Sequence, residues 1–149
     1  MSFFSNPFVI LATLSLIVQS LIMFMLFCGY WLKTKAKFPL HARVMTAAVI
    51  LHVVMIFTFM VPALILALIP VFIVPHLSSL TSLITLIHAP LGTAAVSLGL
   101  YLVLSWRSSG LSRCFERRKI MFATMAVWLA ALIFGFVLYG VLYWAALMG

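Results

Sequence analysis

Acidic side chains are almost missing from this sequence: among 149 residues there is one, Glu116, and there is no aspartate. Paired-carboxylate acid–base chemistry, carboxylate-rich calcium or magnesium sites and a Ser/His/Asp triad are thereby excluded. An intramembrane proton relay built on Asp or Glu is excluded as well. Cysteine is nearly as scarce. Cys28, inside the first apolar run, and Cys114, in a basic segment, have no CxxC spacing and read as free thiols, so neither a disulfide framework nor a cysteine zinc site is indicated. There is no GxSxG elbow and no Gly-rich phosphate loop. Charged residues make up 7% of the chain, against roughly a quarter in an ordinary soluble domain, while 67% of it is hydrophobic. A soluble fold this apolar would precipitate.

What is present is long apolar runs. They extend from about Pro7 to Leu32, His41 to Ile69, His76 to Trp106 and Ile120 to Met148. At ~1.5 Å per residue each can cross a ~30 Å hydrocarbon core. The expected fold is a single all-α domain over residues 1–149, an integral membrane four-helix bundle. Pro62 and Pro90 fall inside spans, where they should kink the helices, and Pro70 and Pro75 are expected to bracket the turn between the second and third spans.

The nine basic residues occupy two short windows: Lys33, Lys35, Lys37 and Arg43, then Arg107, Arg113, Arg117, Arg118 and Lys119. The first ten residues and the Pro70–Ser79 turn carry none. Positively charged loops stay in the cytoplasm, so both basic loops are expected inside and both termini outside, in a multi-pass protein of the cell inner membrane. The uncharged N-terminal run lacks a small-residue cleavage pattern, and the first helix is expected to remain. The net charge of +8 then speaks to topology and to anionic membrane lipids. Without aromatic residues interleaved among the basic ones, no nucleic-acid partner is expected.

Histidine is the chemistry that is left. On a helix advancing ~100° per residue, His41, Met45, Ala48, His52, Met55 and Phe59 share one narrow stripe. The third span answers with a small or weakly polar face of Thr81, Thr85, His88, Gly92, Ala95 and Gly99. In that face Ala95 and Gly99 permit close approach of another helix or a flat ligand. The plain reading of a methionine at helical spacing is packing, and of a histidine at a span end, such as His41 or His76, is an interfacial side chain. His52 and His88 are different, because an ionisable group deep in a bilayer is costly and faces the interior with a partner or a ligand. Imidazole ligates haem b or copper, and Met45 or Met55 could complete a soft copper(I) site with His52. Counted from the inner span ends, His52 lies ~18 Å and His88 ~27 Å deep, an offset awkward for two axial ligands of one iron. A single-histidine haem, a copper site and a plain interhelical hydrogen bond all stay open. Gln19, with Ser15 one turn away, is a candidate partner for such a bond, its plain reading being a polar residue that glues helices.

From the first basic loop onward the chain resembles a family of small four-helix membrane proteins typified by YozB and the oxidase-assembly protein CtaM. The resemblance rests on KTKAKFPLHARVM, on TLIHAPLGTAAVSLGLYLVL and on ERRKIMFATMAVWLAALIFGFVLYGVLYW, and covers about residues 33–145. It implies a role beside haem-copper terminal oxidases, in assembly or as an accessory subunit, and matches His41 and His88 to histidines of that family. Two positions depart from the pattern: Arg117 stands where a histidine is common, and His52 where an apolar residue is expected. The reading that follows is a protein that is not an enzyme by itself, working with a larger membrane redox complex such as a terminal oxidase. Haem b or copper would sit near His52 and His88, with His41, Met45 and Met55 as further ligands. The alternatives are a b-haem electron carrier between a quinone and a partner, and a purely structural subunit.

The topology is open to a direct labelling test. Ser78→Cys and Gly149→Cys should react with an impermeant maleimide in intact cells, whereas native Cys114 should react only after permeabilisation. Labelling of Cys114 in intact cells would reverse the orientation.

Overall fold

The computed structural model describes residues 7–109 and 117–148. Arg113, Cys114 and Glu116 lie outside the described residues. The described residues form four helices long and apolar enough to cross a membrane, so this is an all-α, multi-pass membrane bundle. Helix α1 spans Pro7–Thr34, α2 begins as Phe38–Met55, α3 spans Leu80–Ser109 and α4 spans Arg118–Met148. The most extensive contacts are within the α1–α2 and α3–α4 hairpins, and lighter ones join α1 to α4 and α2 to α3. The result is a four-cornered bundle with both basic windows at one end.

The α1–α2 turn shows how tightly the hairpin closes. The Lys37 N–H donates to the Leu32 carbonyl and the Ala36 N–H to that of Lys33, each at 3.0 Å. Ala36, at φ 56°, occupies the left-handed position that normally ends such a turn with glycine. Helix α2 then starts at Phe38, earlier than the apolar run suggests, because Pro39 fits the first helical turn, where no N–H is needed. Helix α3 starts at Leu80, later than expected. Ser79 caps it, its Oγ accepting from the Ser82 N–H at 3.2 Å, and His76 stays in the exposed turn before it.

The prolines behave differently from the expectation of stops. Beyond Met55 the second span continues as a π-helical turn, Ile56–Met60, a short α stretch, Val61–Ala63, and a longer π segment, Leu64–Ile73. Pro70 therefore lies inside the helix, not at its end. Proline lacks an N–H and clashes with the carbonyl four residues back, and widening the turn to i→i+5 bonding relieves both problems. The Val61 N–H donates to the Ile56 carbonyl and that of Val74 to Ile69, in the wider pattern. Pro90 lies within α3 as expected.

Burial is inverted relative to a soluble bundle. Ile17, Phe24, Phe57, Leu66, Phe122 and Ile133 are each more than half exposed on the outer surface, while Gln19, His41, His52, Ser82, Thr85 and Thr124 are buried. Polar groups are drawn inside and the apolar face is left to lipid. The core consists of Ile22 and Leu26 from α1, Ala48, Val49 and Met55 from α2, Ala95 from α3, and Trp128 and Leu132 from α4. The stripe expected on α2 faces inward, with Met45 and Phe59 packed at its margin. Mean hydropathy is lowest in α3, 1.7 against 2.3 or more elsewhere, because its inner face is built from small and hydroxylic residues.

Gly99 is where that smallness is used. A Cβ there would lie 3.1 Å from Val49 Cγ2 and 3.3 Å from Trp128 Cζ3, whereas one at Gly92 would meet nothing within 4 Å. Gly99→Leu should therefore destabilise the bundle by about 1–3 kcal/mol through overpacking. Leu100→Phe, at a position 38% exposed, should stay within about 0.5 kcal/mol. Thermal unfolding in one detergent compares them, and equal melting would mean that α3 makes no close approach at Gly99.

Candidate functional site

The five candidate ligands do not form one site. His41 and Met45 lie near the basic end, where α1 and α2 approach closely at Gly29. The His41 Nδ1–H donates to the Gly29 carbonyl at 2.7 Å, and a Cβ on Gly29 would stand 2.6 Å from Met45 Sδ. Because a carbonyl only accepts, the proton sits on Nδ1, and Nε2 of the neutral ring keeps its lone pair. This is the arrangement that fixes metal-ligating histidines. It also changes the reading of His41, which is buried against a carbonyl and not hydrated at a span end.

His41 and Met45 also line a cavity of about 480 Å³ between the two hairpins at the basic end. Its walls are mainly apolar, among them Leu26, Val49, Val103 and Met125, and Trp128 also lines it. Lys33, Arg117 and Arg118 line it as well, bringing the two basic windows together. The Arg117 guanidinium lies 4.7 Å from the centre of the Tyr101 ring.

His52 and Met55 belong to the packed core, both 3% exposed. The His52 ring meets Trp128 edge-on, centroids 4.9 Å apart and planes at 68°. Neither ring nitrogen of His52 has a hydrogen-bond partner among the described residues, and neither has the Trp128 indole nitrogen. Gln19, expected as a possible partner, sends its amide instead to Met60 Sδ at 3.9 Å.

His88 lies at the α3–α4 seam. Its Nδ1–H donates to the Ala131 carbonyl at 2.9 Å, and its Cε1 would be 3.1 Å from a Cβ on Gly135. Helix α4 thus serves as a ruler: His52 is level with Trp128, and His88 lies between Ala131 and Gly135. Three to seven residues separate those levels, ~5–10 Å at the helical rise. On that ruler the two histidines stand at different levels, an arrangement awkward for the two axial positions of one haem iron. Among the described residues no three of His, Cys, Asp or Glu are grouped to hold a metal. What the chain offers is single histidines with a methionine close by, His41 with Met45 and His52 with Met55, a soft donor set suited to copper(I).

Comparison of the chain with protein-family models, with curated proteins and with solved structures finds no match. Gly29, Gly135 and Trp128 are the site residues that sequence reasoning passed over. A signal existed for the glycines, since an isolated glycine inside an apolar helix marks close approach of another group. None existed for Trp128, whose partners come from other helices.

The histidines can be separated by stability. His52→Leu removes two unpartnered buried nitrogens at similar volume, and should leave the bundle as stable or stabilise it by about 1 kcal/mol. His88→Ala deletes a made hydrogen bond and opens space beside Gly135, and should cost about 2 kcal/mol. Detergent melting curves decide. A larger loss from His52→Leu than from His88→Ala would mean that His52 holds a partner.

Proposed function

We propose that the protein is a non-enzymatic assembly factor or accessory subunit of a respiratory haem-copper oxidase or a related membrane redox complex. It would lie in the inner membrane with its basic end in the cytoplasm and both termini outside. The observation that carries this reading is the state of His88 and His41. Each has Nδ1 fixed on a backbone carbonyl, which leaves Nε2 with its lone pair to accept a bond or ligate a metal, in a chain with no carboxylate apparatus for catalysis. The resemblance of residues 33–145 to oxidase-assembly proteins supports it, since His41 and His88 are the two matched histidines. A haem would supply redox chemistry and a copper ion a deliverable cargo, and either would be held by one histidine of this chain, with a neighbouring methionine for copper.

Other observations bear on the alternatives. A b-haem electron carrier needs a facing histidine pair, and the axial offset of His52 and His88 denies it one. For a purely structural subunit, Gly29, Gly99 and Gly135 are used inside the bundle, and Gly92 and Gly140 have open space beside them.

His88→Ala should lower the activity of the partner oxidase in native membranes several-fold, or remove any haem or copper that co-purifies. His76→Ala, in the exposed turn, should leave both at wild-type level. Oxygen consumption, the Soret band and elemental copper are the measurements. Equal and negligible effects of the two substitutions would sink the proposal.

A further inference from the structure

We infer that the cavity at the basic end is a selective site for an anionic phospholipid, its headgroup held by Lys33, Arg117 and Arg118 and its upper acyl chain laid along the apolar walls. This goes beyond the role proposed above and does not depend on it.

Charge complementarity identifies the occupant. Three cations, Lys33, Arg117 and Arg118, border one cavity of about 480 Å³. A free inorganic anion would satisfy the cations and leave the wall of Leu26, Val49, Val103 and Met125 uncovered. A neutral lipid would do the reverse. One molecule with a phosphate head and an apolar body matches both parts, and a basic pocket between transmembrane helices is a recurrent way to hold such a headgroup. The site also lies where the lipid is, because Phe122 and Trp106 line the cavity while being 76% and 37% exposed on the bundle surface. The cavity is open at that flank.

Arg117 is the prepared element. Its guanidinium rests against Tyr101, and its Nη1 is buried with no partner among the described residues. A planar guanidinium held in place, with a desolvated donor to spare, suits bidentate contact with phosphate oxygens. Arg43 provides the internal contrast. It belongs to the same basic window as Lys33 and is exposed, but it does not line the cavity.

Native mass spectrometry of the full chain in neutral detergent tests the site, with phosphatidylglycerol and phosphatidylcholine of identical acyl chains as probes. Phosphatidylglycerol should be retained about 25-fold more tightly or better, two or more cations contributing roughly five-fold each. The Arg117→Gln/Arg118→Gln variant should lose about 25-fold of that affinity on the same basis, whereas Arg43→Gln should bind as wild type. Ala42→Trp, which fills the cavity from α2, should lose the lipid with both arginines intact. Equal retention of the two lipids would overturn the inference. So would equal weakening by Arg43→Gln, which would reduce the effect to general surface charge, or full retention by the double arginine variant.

Discussion

Trp128 fills the volume where the two hairpins meet, and much of the interior is arranged around it. Its ring lies against Gly99 of α3, with Val49 of α2 at the same point, and against the edge of the His52 imidazole. Helices in lipid gain no hydrophobic driving force from one another, so their association rests on close packing and a few hydrogen bonds. A side chain this large, 1% exposed and reaching residues of two other helices, supplies much of that packing. Loss of a buried tryptophan typically costs ~3–5 kcal/mol. It also divides the interior. Toward the basic end the bundle opens into the cavity, and toward the other end α3 and α4 close over His88 and Gly135.

Glycine makes each of these approaches possible, at a different seam. Gly29 admits Met45 and His41 between α1 and α2, Gly99 admits Trp128, and Gly135 admits the His88 ring between α3 and α4. In every case a ring or thioether occupies the space a Cβ would need. The same feature that lets the helices pack therefore positions the histidines, and stability and candidate chemistry share residues. His41 and His88 each gain a carbonyl through that proximity, while His52 gains an aromatic edge and, among the described residues, no hydrogen bond.

The four spans, the inward stripe on α2 and the close approach at Gly99 were legible in the sequence, because hydropathy, helical periodicity and side-chain size are local properties. The continuation of the second span through Pro70 was not. Proline rules describe what a helix loses, and the widened π turn that compensates depends on the surrounding backbone. Nor could the sequence say that His41 is buried on the Gly29 carbonyl, a contact made by a tight turn with Ala36 in a left-handed conformation. The starts at Phe38 and Leu80 were readable in retrospect from Pro39 and Ser79, which are ordinary helix-start signals.

Incomplete coordination gives the proposed role its physical sense. A protein that retains a metal permanently surrounds it with three or four donors and a hydrogen-bonded outer shell. Here the outer shell exists, as carbonyls fixing the Nδ1–H of His41 and His88, but the donors come singly or with one methionine. A soft ion held by two ligands would exchange more readily than one held by four, and a haem held by a single histidine of this chain would be held less completely than by a pair. An assembly factor needs that property, because a cargo bound too completely is not handed on. His41 near the basic end and His88 deeper stand at separate levels of one bundle, each with its own fixing carbonyl.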